Sequence, residues 1–304
     1  MSFIAGAGVT NADLLYTGVK HLPEKGEEVY SEGFELQLGG GIPATLINLA
    51  RLGIKTKLAT ELGCDIFSDF AKHEFDKSNT EYLNLYGFSG GAGFPLNVTS
   101  AAILPDDRSF LTYGRNALEP TDENKEQFYK LASGSKITIM QAGGFTDVYK
   151  KLKSEGTILV FDTGWDDGMS LDTYKEYLEL ADYYTPNRKE AMKITNTSTP
   201  EAAAEVLKKY FKRVIVKLDR GGVMGLDESG AFTVGAIDSF RHVDSTGAGD
   251  AFLAGFCYGL FYDYSFKDCL LLGNITGGKA VTAAGALSAY CDSYELIEHF
   301  NNAK

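Results

Sequence analysis

Between Lys136 and Leu218 short apolar runs alternate with amphipathic stretches, and this rhythm limits the possible folds more than any other feature of the chain. Lys136–Gln141, Thr157–Asp162, Tyr183–Thr185 and Arg213–Leu218 have the length of strands. Thr146–Lys153, Leu171–Leu180 and Pro200–Tyr210 repeat apolar residues at helical spacing. Strand and helix in alternation imply βαβ units, and therefore a parallel sheet covered on both faces. The opening run Phe3–Val9, the helix Ile42–Leu52 closed by Gly53, the strand Thr56–Glu61 and the helix Phe67–Phe75 extend the scheme. The end is mostly helical, over Ala248–Tyr262, Phe266–Ala284 and Tyr294–Phe300.

Two regions break the rhythm. Leu14–Gly18 and Glu28–Leu38 alternate around a turn at Pro23, and Asn97–Leu104 and Arg108–Tyr113 do so around Pro105-Asp106-Asp107. They predict a small separate sheet, contributed in two pieces (about 14–38 and 95–115) and lying over the main one. With no repeat or linker in the sequence, the expectation is one α/β domain over residues 1–304, a three-layer α/β/α body with this small sheet over it, which the resemblance given below makes a β-lid.

Composition narrows the partners. Lys and Arg total 29 against 41 Asp and Glu, a formal charge of −12, which repels a polyphosphate and argues against nucleic acid. Cys64, Cys257, Cys269 and Cys291 contain no C-x-x-C pair, and His21, His73, His242 and His299 are scattered, so zinc and redox chemistry lack support. No apolar run is long enough for a membrane span and the first residues lack a basic secretory signal, so a cytoplasmic location is expected.

Glycine-rich turns are where an α/β sheet would bind a ligand. Gly6-Ala7-Gly8 lacks the third glycine and the helix of a dinucleotide site. Gly273–Ala280 has P-loop spacing, but Ala280 stands where Ser or Thr is needed and the stretch lies inside a helical pattern. Asn11 and Asp13 follow the first strand with groups suited to a polyhydroxylated ligand, or to a solvated turn. Gly39-Gly40-Gly41 before a helix reads equally as a ligand-facing turn or a plain tight one. The strongest candidate is Asp244-Ser-Thr-Gly-Ala-Gly-Asp250. Glycines at a helix mouth leave N–H groups pointing outward, an anion hole made by Gly247, Ala248 and Gly249. Asp250 in the first turn would complement the helix dipole; beside an anion hole it also suits phosphoryl transfer, as base for an attacking hydroxyl.

The segment Asp244–Phe252 resembles the C-terminal signature D-T-x-G-A-G-D-x-F of the ribokinase-like (PfkB) carbohydrate kinases, with Ser245 in place of Thr. Gly39-Gly40 through Ala50-Arg51-Leu52-Gly53 is similar to the N-terminal signature G-G-x-x-A-N-x-A-x-x-x-A-R-L-G. Asn187-Arg-Lys-Glu190 is similar to N-x-x-E, and Ile215–Gly222 to V-x-K-L-G-x-x-G. Tyr113–Ala117 resembles the stretch returning from the lid. The match runs from about residue 3 to 290 and implies a kinase that uses ATP and Mg²⁺.

By this resemblance Asp250 is the catalytic base and Gly247–Gly249 the anion hole. Asn187 and Glu190 hold the Mg²⁺–phosphate water network, Glu190 acting on the metal through water. Lys217, Asp219, Gly222 and Asn274 border the nucleotide. Asp13, Gly39 and Gly40 face the acceptor, with Asn11 nearby. Asp244 and Thr246 match positions that in some members help hold a monovalent cation, K⁺. Three departures touch specificity. Ala44 stands where the signature has an acceptor-binding Asn, with Asn48 one turn on as the candidate replacement. Asp219 replaces Gly in the nucleotide turn. Phe161–Trp165 is similar to the D-P-N-x-R segment of fructokinase and ketodeoxygluconate kinase members but lacks its Asn and Arg.

The implied acceptor is a hydroxymethyl group of a free ribose-, fructose- or ketodeoxygluconate-like sugar, because Arg108 and Arg115 are the only arginines between 95 and 117. A nucleoside such as adenosine or pseudouridine is the alternative, with Phe34, Phe94, Phe110 and Tyr113 as stacking candidates. A non-catalytic sugar- or nucleotide-binding regulator is the third reading, disfavoured by an intact Asp250. An exposed lid face is a natural clasp surface for a second copy of the chain, giving a homodimer.

Overall fold

Apolar residues on both faces of the short strands place the main sheet between two layers of helices. β1 (Ile4–Ala7) lies between β4 (Thr56–Thr60) and β8 (Ile137–Met140). β5 (Glu81–Asn84) lies outside β4, while β9 (Ile158–Phe161) and β10 (Tyr183–Tyr184) extend the other side. Every pairing among these six is parallel. The computed structural model describes residues 2–86, 95–105, 108–114 and 117–304; Phe94, the Asp106-Asp107 turn, Arg115 and Asn116 lie outside them.

The two-residue period of a strand divides its side chains between two cores. Ile4, Ile137, Ile139 and Val160 join one buried cluster with helices α1 (Gly41–Arg51), α2 (Ile66–Lys77), α8 (Ala248–Phe261), α9 (Phe266–Ala280) and α10 (Ser293–Ala303). Ala5, Met140, Leu159 and Phe161 join the other. That face is covered by α3 (Asp122–Ala132), α4 (Thr146–Ser154), α5 (Leu171–Leu180), α6 (Arg188–Thr195) and α7 (Pro200–Leu207).

α8 is buried from Ala251 to Leu260, and a helix apolar all round must be packed on every side. Its close partner is α9. A Cβ on Gly259 would lie 2.7 Å from Cys269 Sγ, and one on Gly273 would lie 2.8 Å from Phe252 Cε2. The glycines that mimic a P-loop are therefore packing residues inside a helix. α9 stops at Ala280, and Val281–Leu287 turns back so that Val243 N and Asp244 N both donate to Val281 O.

Two elements depart from the simple alternation. β11 (Val214–Lys217) pairs antiparallel with β12 (Val223–Asp227), which pairs with β13 (Gly230–Val234). This small sheet meets the end of β10 through an isolated bridge between Asn187 and Lys217, with Lys217 N donating to Pro186 O at 2.9 Å. The lid is a four-stranded sheet in the order β3 (Gly33–Gly39), β2 (Asn11–Thr17), β6 (Asn97–Ile103), β7 (Arg108–Tyr113). Its two hairpin-like pairs join through parallel β2 and β6, which sequence alternation alone does not reveal. Register aligns Gln37, Asp13, Thr99 and Thr112 in one row facing the body.

Candidate active site

The cleft lies under the lid, past the carboxyl ends of the parallel strands, where an open α/β sheet offers its ligand crevice. Its centre is the turn that begins α8. Gly247 has φ 75, and a Cβ there would stand 2.5 Å from Ala286 Cα, so the turn requires glycine. No side chain caps α8. Ala248 N is engaged with Ser245 O at 3.3 Å, so the amides of Gly249 and Asp250 are the pair left for an anion. Asp250 follows directly. A Cβ on Gly41 would lie 3.5 Å from Asp250 Oδ1, which puts the Gly39–Gly41 turn and the carboxylate on one small space. Thr45 fixes the two helix starts together by donating to Gly41 O at 2.9 Å and Asp250 O at 3.3 Å.

Charge in the cleft is unbalanced. Lys217 Nζ lies 3.4 Å from Asp162 Oδ2, and a Cβ on Gly249 would be 3.3 Å from the same ammonium. Burial alone would depress the Lys217 ammonium, but Asp162, Glu190 and Asp250 more than offset it and hold the ammonium above its ordinary range. Burial pushes the Asp250 carboxyl well up; Asp162, Glu190 and Asp13 add to the rise, and Lys217 alone opposes it. Burial likewise raises Glu190, with Lys217 opposing.

Glu190 is held by a capping box. Its Oε2 accepts from Asn187 N at 2.7 Å while Asn187 Oδ1 accepts from the Lys189 and Glu190 amides, a reciprocal arrangement that starts α6 and aims a buried carboxylate into the cleft.

Beneath the lid Asp13 folds over Gly39, with no room for a Cβ between them. Desolvation raises its carboxyl to about 6, against a hydrogen bond from Thr99 that lowers it. Asn11 pairs across the lid with Gly39 and Asn97. Gly40 has φ 98 and sits against Val9 O, allowing the chain to leave the lid and enter α1.

Not every sequence-derived site residue reaches this cluster. Asn48, offered in place of the missing signature Asn, lies further along α1. It is buried toward α8 and α9 in a small void with Leu52, Ala251, Thr276, Tyr290 and Cys291, where its Nδ2 has no hydrogen-bond partner. It faces the helix layer, away from Gly39–Gly41. Gly222 and Asn274 share a supporting task. A Cβ on Gly222 would collide with Val234 O, and Asn274 Nδ2 donates to Val234 O at 2.8 Å and Gly235 O at 2.9 Å, so both set the end of β13. Asp219 has φ 53 and an exposed side chain; it adopts the left-handed conformation that the family's glycine would take, which Asp tolerates.

Asp162 is the main residue that motif reasoning passes over. Besides Lys217 it accepts from Thr185 Oγ1 at 2.9 Å and Gly164 N at 3.1 Å. Its available signal was a carboxylate directly after a parallel strand. Of the aromatic stacking candidates, Phe34 and Tyr113 lie on the lid face opposite Asp13, where Phe34 packs on Tyr16 at 5.4 Å between ring centroids, whereas Phe110, opposite Ala101, shares the face of Asp13 and Thr99.

The model of the pfkB family carbohydrate kinases matches residues 1–291. The chain belongs to that family. Membership makes this kinase an ATP-dependent phosphotransferase acting on sugars. It is 24% identical to the ribokinase of Lactococcus lactis over 290 residues, covering 94% of this chain and 93% of that one. Its fold superposes on Arabidopsis thaliana ribokinase complexed with ribose and ATP, with a TM-score of 0.82, 21% identity and 99% of both chains covered. Escherichia coli phosphofructokinase-2 in complex with potassium gives a TM-score of 0.78 at 16% identity, over 100% of this chain and 99% of that one. Among the described residues no helix is long and apolar enough to cross a membrane.

Proposed function

We propose that this kinase transfers the γ-phosphoryl group of ATP to a hydroxymethyl group of a free, unphosphorylated sugar, with Asp250 as general base. The observation that carries the reading is the placement of a buried carboxylate between two surfaces. Toward α8 lie backbone amides suited to an anion, and toward Gly41 and Asp13 lies space bordered by groups suited to hydroxyls. Deprotonating the hydroxyl as its oxygen approaches phosphorus is what an alcohol nucleophile requires. The raised Asp250 carboxyl strengthens it as a base once ionised. The amides and Lys217 would stabilise charge gathering on the transferred group.

Among the described residues no three Asp, Glu, His or Cys side chains converge to hold a metal unaided. Glu190, oriented by Asn187, and Asp162 add carboxylate charge that fits a divalent ion arriving with the nucleotide. Such an ion, when bound, neutralises phosphate charge. Asp13, Asp162, Glu190 and Asp250 together favour a neutral acceptor over one already phosphorylated, by simple repulsion. The outer lid face, with Tyr16, Phe34, Leu111 and Tyr113 exposed, supports the homodimer reading; sedimentation should give two chains, and a monomer would remove it.

A coupled ADP-release screen over ribose, fructose, ketodeoxygluconate, tagatose 6-phosphate, adenosine and pseudouridine tests the acceptor. Turnover highest with one of the free sugars is expected. Highest turnover with a nucleoside or with the sugar phosphate would overturn the assignment.

A further inference from the structure

The buried carboxylate of Asp244, one turn before the anion hole, is answered from the lid. Arg108 of β7 places Nη1 3.0 Å from Asp244 Oδ1, and Asp244 is 5% exposed. The same Oδ1 accepts from Thr246 N at 3.1 Å and Thr246 Oγ1 at 3.0 Å, while Oδ2 accepts from Gly285 N at 2.9 Å. Asp244 thus fastens three things: the strap leading into Gly247, the Val281–Leu287 turn on which Gly247 rests, and the lid. Gln37, on the opposite edge of the lid, grips the same turn by donating to Ala284 O at 3.2 Å and to Ser288 Oγ.

Asp244 and Thr246 are where a monovalent cation is expected, and the fit can be judged from their donors. Oδ1 already meets three donors, one of them a guanidinium, and Oδ2 is taken by a backbone amide. A K⁺ ion on this carboxylate would stand against a fixed positive charge. The residues do not fit a second cation.

We propose that Arg108 is a positioning residue that serves as a built-in cation for Asp244. Lid docking brings the charge that lets the anion-hole strap settle, and turnover in this kinase requires no monovalent cation. The physical reason is that a buried carboxylate without a counter-ion is costly, so the strap is stable in this arrangement only while a positive charge is present. A lid-borne charge makes that stability conditional on lid docking, so the anion hole is completed when the acceptor is enclosed. This inference rests on the kinase reading.

The test compares KCl with tetramethylammonium chloride at equal ionic strength, for wild type and Arg108→Gln, reading both kcat and the melting temperature without substrates. Wild type should behave alike in the two salts. Arg108→Gln should lose about 10–100-fold in kcat, the scale of a misplaced catalytic strap. In KCl it should recover several-fold, and its melting temperature should rise with K⁺ where that of wild type does not. Activation of wild type by K⁺ over tetramethylammonium would overturn the proposal. So would Arg108→Gln with wild-type kcat, or with a loss and a melting temperature both indifferent to K⁺. The melting measurement needs no turnover, so failure of this proposal and failure of the kinase reading are distinguishable.

Discussion

On the proposed reading, the donor side of the cleft is built from backbone, whereas the acceptor side and the floor are built from charged side chains. Toward the proposed nucleotide site, the start of α8 offers the amides of Gly249 and Asp250, and Gly222 and Asn274 set the end of β13 by steric fit and by hydrogen bonds to carbonyls. Toward the acceptor lies Asp13, and on the floor between the two sides Asp250, Asp162 and Glu190 gather around Lys217. The backbone side is insensitive to pH and intolerant of a Cβ. The charged side tolerates changes of shape, but Glu190, Lys217 and Asp250 each respond to the charges around them. Substitutions should therefore fail in different ways on the two sides.

The largest combined loss of turnover and stability should come from the ammonium that holds the floor together. Lys217→Met leaves Asp162, Glu190 and Asp250 without their shared cation. kcat should fall about 10²–10³-fold, and stability by about 3 kcal/mol. Chemical denaturation alongside steady-state kinetics checks both; a variant of normal stability would show that the carboxylates simply take up protons.

Asp13→Asn should act on the acceptor and leave the donor alone. Acceptor KM should rise about 10–100-fold, the worth of one or two hydrogen bonds to a charged group, with ATP KM unchanged. Its carboxyl sits near 6 in the fold against an ordinary 3.8, so the folded protein binds this proton more tightly than the unfolded chain. That contribution is fully present below about 3.8 and is lost as pH rises through about 6. Hence the Asn variant should melt above wild type at pH 7, and the gap should close at pH 4. A gap that widens on acidification would contradict the desolvated Asp13.

Asp219→Gly probes the backbone side and should do least. The substitution relieves a left-handed non-glycine residue at the cost of chain entropy, so stability should move by no more than about 1 kcal/mol. ATP KM should hardly change. A large KM change would make the exposed Asp219 carboxylate a nucleotide contact.

The backbone side was the more legible in the sequence, because glycines that must approach an anion or adopt positive φ leave a fixed spacing, as in Gly247-Ala248-Gly249. The strand-and-helix rhythm likewise shows the parallel sheet and the two-part lid. β5, β12 and β13 leave little trace because they are short and end in polar turns. Asp162 and the Arg108–Asp244 pair were hidden for another reason. Each joins residues more than fifty positions apart, and no local pattern encodes which distant charge a carboxylate will meet. Asn48 shows the converse, since it stands one turn beyond the signature position held by Ala44, and the rise along α1 carries it into a void lined by Ala251 and Thr276.

The central claim is that the Asp250 carboxylate removes the acceptor proton, and kcat of Asp250→Asn measures this most directly when read beside ATP affinity and melting temperature. The amide keeps the shape but cannot take the proton, so kcat should drop about 10²–10⁴-fold. ATP should still bind through the amides and Lys217. The melting temperature should hold or rise, because a strained buried charge has been removed. A variant that turns over at the wild-type rate would contradict the account and leave the turn as a phosphate-binding device alone.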